Sequence, residues 1–182
     1  MPADDRRDRV VIRPPERSDT TEFLDAVAAS RGLHHPWVFP AETTRAFHAY
    51  VRTRRRTDQW GVLVRTADDD RLVGVININN IVLGGMRSGA LGYYAFAGVE
   101  HQGLMTEGLA AVLDEAFDTR GLALHRLEAN IQPANVPSRK LVERLGFRHE
   151  GFSPRFLFID GDWRDHDRWA ITADVWQGRP HD

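Results

Sequence analysis

The chain of 182 residues contains no cysteine. Disulfide scaffolds, thiolate metal sites and cysteine nucleophiles are excluded with it, and nothing calls for an oxidising compartment. A long apolar run is missing too. No stretch approaches the roughly 18 apolar residues of a membrane helix, and the charged opening MPADDRRDRVVIRPPE lacks the apolar core of a signal peptide. The expectation is a cytoplasmic protein with no membrane partner. Nor does one sign of charge dominate. With 24 basic and 26 acidic residues the net charge is -2, which argues against direct nucleic-acid binding by the chain as a whole. There is no GxxxxGK[ST] and no GxGxxG, hence neither a nucleotide-hydrolysing P-loop nor a dinucleotide fingerprint. No repeat, low-complexity tract or linker divides the sequence. It reads as a charged N-terminal tail, residues 1–8, followed by one domain, residues 9–178, long enough to bury its own core.

What is present alternates between two periods. VVIR at residues 10–13 reads as a strand that Pro14 and Pro15 end. Ser18 or Asp19 can cap a helix with Phe23, Leu24, Val27 and Ala28 on one face, and after HHPWVFP a second helix carries Phe47, Tyr50 and Val51. WGVLVRT, LVGVININNIVL and ALGYYAF then read as three strands. A helix follows in which Leu109, Val112, Leu113, Ala116 and Phe117 fall at helical spacing. HRLEANI is a further strand. Asn135 can cap a short helix with Pro137 in its first turn and Gly146 as a left-handed stop. GFSPRFLFI and HDRWAIT meet across the hairpin signal Asp160-Gly161. The order predicts an α/β (α+β) domain: a mixed sheet with helices packed on it.

Gly103 stands where a strand gives way to an apolar helix. Such a turn leaves the first helical N–H groups unpaired with the positive end of the helix dipole outward, which suits an anion. One glycine at a strand-to-helix turn is also plain geometry. Among the histidines, His34 and His35 are adjacent and His166 lies between Asp165 and Asp167, but neighbouring strand residues face opposite sides, so no metal site is expected.

Further on, HRLEANIQPANVPSRKLVERLGFRHEGF joins a strand, a Pro-x-Asn turn, a short basic helix and a Leu-Gly-Phe exit. In this the chain resembles the GNAT acyltransferases, which use acetyl-coenzyme A (acetyl-CoA). Their [Q/R]-x-x-G-x-[G/A] motif is approximated by Glu100, His101, Gln102, Gly103, Leu104 and Met105, with Glu100 and Met105 as departures. The likeness is greatest to the branch containing the ribosomal-protein-alanine N-acetyltransferases. It spans nearly the whole chain through RVVIRPP, HHPW, GLMTE, the Leu-Gly-Phe segment and IDGDWRDH. The resemblance implies a single GNAT-like domain with a mixed, mostly antiparallel sheet of about seven strands, a splayed parallel pair (ALGYYAF and HRLEANI) and about four helices. It also implies acetyl-CoA as cofactor, with its pyrophosphate at the turn formed by His101, Gln102, Gly103, Leu104, Met105 and Thr106. Main-chain groups of Ala95, Phe96 and Ala97 would pair with the pantetheine arm, with Asn135 and Ser138 nearby; Arg139 could reach the coenzyme phosphates or belong to a solvated basic helix face.

Acetyl transfer to an amine needs a bound thioester, a neutral amine, stabilisation of an oxyanion and a route for the thiolate to leave. A tyrosine that many GNAT enzymes place in the helix before Leu-Gly-Phe is Val142 here. By its likeness to the ribosomal branch, Ser138 is the expected hydrogen-bond donor to sulfur, with Asn135 holding the turn; both residue types also serve as helix caps. Glu128 and Asn130 lie two apart on a strand and share a face. Glu128 can take the amine proton through water, or pair with Arg126 or Arg139. Trp37 can wall the amine pocket or anchor a lid. Asp165 can attract an ammonium or tie the hairpin. The acceptor expected from the resemblance is the N-terminal amine of a peptide or ribosomal protein. A small amine such as an antibiotic or polyamine, and a non-catalytic module that binds coenzyme A or the ribosome, stay open, as does a homodimer.

Overall fold

The computed structural model describes residues 8–176 and residue 178. Residues 1–7 of the expected tail, and residue 177 within the expected domain, lie outside the described residues.

Seven strands form one sheet: β1 (Val10–Arg13), β2 (Trp60–Thr66), β3 (Leu72–Val82), β4 (Ser88–Ala95), β5 (Arg126–Ile131), β6 (Arg148–Ile159) and β7 (Asp162–Thr172), in the order β1-β2-β3-β4-β5-β7-β6. Every neighbouring pair is antiparallel except β4 and β5. Among the described residues five helices accompany it, α1 (Thr20–Ala29), α2 (Arg31–His34), α3 (Thr44–Thr53), α4 (Leu104–Phe117) and α5 (Val136–Arg144), with a 3-10 turn before α1.

The period-two alternation of β2 and β3 sorts the core onto both sheet faces. Val62, Val64, Ile76 and Ile78 pack with Leu109, Val112 and Leu113 of α4 and with Val142 of α5. Leu63, Val75 and Phe96 meet Phe23 and Val27 of α1 and Phe47 and Val51 of α3. Each fully buried aliphatic or aromatic side chain contributes about 1.5–3 kcal/mol. Gly108, in the middle of α4, is buried. A β-carbon there would sit 2.7 Å from Val64 Cγ1, so it is small for close packing on β2 and not to keep a surface low for a ligand.

The sequence had not marked α2, which runs up to HHPW and shares only His34 with it. Asp19 stands at the start of α1, but its carboxylate is turned back to Arg13, 3.0 Å from Nη1, and to the Glu16 N–H at 2.7 Å, so it ties β1 to the helix entry without capping α1. The closing hairpin is longer than expected. Asp160 and Gly161 both take positive φ, 51° and 75°, as a tight hairpin turn requires. From there β6 and β7 run on to Arg148 and Thr172, with bulges between His149 and Gly151 and between Ser153 and Leu157.

The parallel pair matters most. β4 and β5 pair at Ser88–Arg126, Gly89–Leu127, Ala90–Glu128 and Leu91–Ala129, and then part. Beyond that point β4 follows β3, with Gly92, Tyr93, Tyr94 and Ala95 opposite Asn77, Ile76, Val75 and Gly74. β5 follows β7, with Asn130 and Ile131 opposite Arg168 and Asp167. The sheet opens between them.

Candidate active site

The opening leads into a cleft of about 670 Å³ between the β4–β5 gap, α2, α5 and the β6–β7 hairpin. Of the residues singled out in the sequence, Trp37, Ala95, Met105, Glu128, Asn130, Asn135 and Ser138 line it.

Which main-chain groups face the gap follows from the ladder. The Phe96 N–H bonds the Val73 carbonyl at 2.8 Å, so Phe96 and, two residues back, Tyr94 turn their polar groups to β3. Those of Tyr93 and Ala95 are directed into the gap. Phe96 and Ala97, expected at the arm, are engaged elsewhere: the Phe96 side chain is in the core, and the Ala97 N–H donates to Ser30 Oγ at 2.8 Å. The Ala95 carbonyl accepts from His34 Nε2 at 2.8 Å.

At the start of α4, Gly103 has φ 78°, the left-handed region that glycine enters without strain, and His101 has φ 61°. The first helical bonds run from the Thr106 and Glu107 N–H groups to the Gly103 carbonyl. The Leu104 and Met105 N–H groups precede them at the positive end of the helix. The Leu104 side chain is buried, while His101, Gln102 and Glu100 are exposed, and Thr106 is half-buried. Glu100 accepts from the Gly98 N–H at 2.7 Å and Gln102 Nε2 donates to the Gly98 carbonyl at 3.2 Å, so both brace their own loop. Met105, large where the motif wants a small residue, fits because of Gly74: a β-carbon at Gly74 would lie 2.4 Å from its sulfur. Arg9, which the sequence reading passed over, pairs with Glu107 in the first turn of α4 and lies 3.4 Å from where a Gly103 side chain would begin.

On α5, Asn135 Oδ1 accepts from the Ser138 N–H at 3.3 Å, a cap that places Ser138 at the cleft. Its Oγ lies 2.7 Å from the hydroxyl of Tyr93, a residue the sequence reading did not select. Burial pushes the Tyr93 pKa up to about 12, although the bond to Ser138 opposes this, so the phenol keeps its proton. Val142, at the position of the missing tyrosine, is fully buried in the core.

Three of the expected residues are engaged by other groups. Glu128 is held by Arg168 Nη2 at 2.7 Å and by Arg126 Nε at 3.0 Å, and Arg126 also pairs with Glu150. Burial alone would raise its pKa; the two guanidiniums outweigh that and leave it below the ordinary carboxylate value, which makes it a poor base. Asp165 Oδ1 accepts from the Arg155 N–H at 2.8 Å, where Arg155 takes φ 49° in the β6 bulge, so this carboxylate shapes the hairpin and not the cleft. Arg139 Nη1 donates to the Pro133 carbonyl at 3.1 Å and its Nε lies 3.6 Å from Asp167 Oδ2, which ties α5 to β7 and away from a phosphate. Asn130 reaches the cleft with a buried Oδ1 that has no partner among the described residues. Trp37 is half-buried in the cleft wall. Among the described residues no three His, Asp or Glu side chains are placed to hold a metal ion, and no helix is long and apolar enough to cross a membrane.

A mixed seven-stranded sheet that parts between β4 and β5, with a glycine turn at the start of the following helix, is a GNAT architecture. Residues 9–148 match the acetyltransferase (GNAT) domain, and the chain belongs to that family of N-acetyltransferases. It is 30% identical over 177 residues to the [ribosomal protein uS5]-alanine N-acetyltransferase of Escherichia coli (strain K12), covering 93% of this chain and 90% of that one. Its fold is similar to that of Mycobacterium smegmatis RimJ in complex with CoA-disulfide, with a TM-score of 0.82, 30% identity, and 91% and 82% of the two chains covered. The fold also resembles spermidine N-acetyltransferase from Vibrio cholerae in complex with CoA and spermine, with a TM-score of 0.77, 21% identity, and 92% and 97% covered.

Proposed function

We propose that the chain transfers the acetyl group of acetyl-CoA to the N-terminal amine of a peptide or protein. Acetyl-CoA supplies an activated acyl group and a thiolate that can depart. The Leu104 and Met105 N–H groups and the α4 dipole hold its pyrophosphate, with Arg9 at the same helix end. The Tyr93 and Ala95 main-chain groups line the arm, and the Ala95 N–H polarises the thioester oxygen. Either hydroxyl of the Tyr93–Ser138 pair can be the donor; with Tyr93 donating to Ser138 Oγ, the serine proton is free for the departing sulfur. Asn130 Oδ1 offers an acceptor for an amine N–H.

The observation that carries the choice of acceptor is the charge of the cleft. Glu128, the one carboxylate among the described residues that line it, is already neutralised by Arg126 and Arg168. A polyamine brings several cations that need carboxylate partners, and this cleft supplies none in reserve. A peptide terminus brings a single amine. With pKa near 8 it is neutral about a hundredfold more often than a lysine side chain near 10.4. The likeness to the uS5-alanine enzyme supports the same acceptor class. The test compares two otherwise identical peptides, one with a free N terminus and acetylated lysine, the other with the modifications exchanged, beside spermidine. Faster release of coenzyme thiol with the first peptide is expected. Faster reaction of the second peptide, or of spermidine, overturns the assignment.

A further inference from the structure

His166 has no part in the roles assigned above. It lies on β7 with 2% of its surface exposed, yet it lines the same cleft. Its Nδ1 is 2.9 Å from the Arg164 carbonyl oxygen. A carbonyl can only accept, so Nδ1 carries the hydrogen, and in the neutral ring Nε2 is then a bare acceptor. Among the described residues Nε2 has no hydrogen-bond partner. It is also absent from the sealed, unpaired polar atoms, in contrast to His34 Nδ1. One nitrogen is thus fixed by the backbone while the other is left to the cleft.

The sheet register supplies a second group. Asn130 is opposite Arg168, so Asn130 and His166 are diagonal neighbours on one face of the β5–β7 pair, about 7–8 Å apart. Asn130 Oδ1 is itself buried without a partner among the described residues. A nitrogen seated between them donates one N–H to each, which leaves its lone pair for the acyl carbon. Charges around the ring come from several elements. Asp165 and Asp167 precede and follow it in sequence, with Asp167 engaged by Arg139 of α5 and His149 of β6. Arg168 is committed to Glu128 of β5 and lies over the Phe156 ring of β6, which meets His166 edge-on at 6.0 Å. Burial lowers the pKa of the ring, only partly offset by the Arg164 carbonyl and the two aspartates, so it is neutral at pH 7.

We infer that His166 is the base of the transfer: its Nε2 receives the proton that the acceptor nitrogen sheds as the N–C bond forms and the C–S bond breaks, while Asn130 Oδ1 orients the remaining N–H. The thiolate leaves with the bond electrons under the Ser138 hydroxyl, and the proton passes from Nε2 to water. This rests on the acetyl-transfer reading of the cleft, but not on which amine is used.

The test uses the full chain and whichever acceptor turns over. His166→Asn keeps a donor near the Nδ1 position and removes the cleft-facing nitrogen. It is expected to lower kcat about 100-fold, with acetyl-CoA affinity within about threefold and a melting temperature close to that of the unaltered chain. In His166→Ala, added imidazole is expected to restore activity at least about tenfold over the variant alone. A kcat within about threefold of the unaltered enzyme, a loss matched by coenzyme affinity, or no response to imidazole overturns the inference. A nitrogen NMR spectrum of the histidine rings needs no acceptor: an Nε2 without hydrogen at pH 7 is expected, and a protonated Nε2 overturns it. Turnover on a small amine alone, with these histidine effects intact, retains His166 and sinks the peptide assignment.

Discussion

At the start of α4 the chain offers backbone: a left-handed glycine, two uncommitted N–H groups and a helix dipole, with side chains that mostly brace their own loop. Across the cleft, α2, β5 and β7 offer side chains instead: a buried histidine ring, an amide oxygen without a partner among the described residues and a second ring that lines the cleft. On the proposed reading, backbone recognises what all ligands of the site share, a charged and extended arm, and side chains recognise what differs, the amine. An enzyme that keeps one donor while its acceptor varies between relatives can leave the first region alone and alter the second.

The difference can be broken first at the glycine. Gly103→Val forces a branched residue into φ 78° and disturbs the N–H groups that follow. The expected loss of acetyl-CoA affinity is about 3 kcal/mol, on the order of 100-fold, measured by titration calorimetry; unchanged affinity would remove the pyrophosphate from this turn. Next is the hydroxyl pair. Tyr93→Phe and Ser138→Ala are each expected to lower kcat about tenfold while leaving coenzyme affinity intact, and the double variant should lose little more than either alone because the two act as one unit. Additive losses would separate them.

Glu128→Gln sharpens the acceptor side. The carboxylate ties Arg126 to Arg168, so its loss should cost about 1 kcal/mol of stability in urea unfolding, with kcat within about threefold of the original. A fall of about 100-fold would return the base to Glu128. The smallest effect concerns acid. Burial lowers the pKa values of both His34 and His166 below the ordinary 6.5. The unfolded chain therefore binds more protons than the folded one below that pH, so the stability these rings contribute is fully present above about 6.5 and is lost as pH falls through their lowered values. The melting temperature should drop about 2–4 °C per kcal/mol lost, and a flat profile between pH 7 and 5 would contradict the burial of the neutral rings.

Features set by a few adjacent residues were legible in the sequence. The apolar stripe of α4, the Asn135 cap, the left-handed Gly146 at φ 85° and the Asp160-Gly161 turn all follow from local rules. The differences share one cause. Ala95, Phe96 and Ala97 were expected at the arm and Tyr93 was passed over, while Asp165 was expected at the amine and His166 was weighed only as a metal ligand; Tyr93, Ala95 and His166 line the cleft, and Phe96, Ala97 and Asp165 do not. Parity depends on register, and register on partners far along the chain. The Tyr93–Ser138 contact joins residues 45 apart, and Glu128 meets Arg168 across 40. No spacing rule reaches that far. Arg54 makes the same point: it closes a helix as a solvated cation should, but bends inward to Asn79 and Gln59 at 2.9 Å each.

The four rungs that join β4 to β5 have a kinetic consequence. Up to Leu91, β4 is an interior strand; from Gly92 it has a bare edge within the protein. Edges template strand addition, and in the proposed complex an extended arm along Tyr93 and Ala95 would fill the place of the missing strand. In deuterated water the Ala95 amide should therefore exchange far faster than the Phe96 amide beside it, which the Val73 carbonyl protects. Bound coenzyme should erase that contrast, so that a single strand reports, one amide against the next, whether the sheet is two pieces or one.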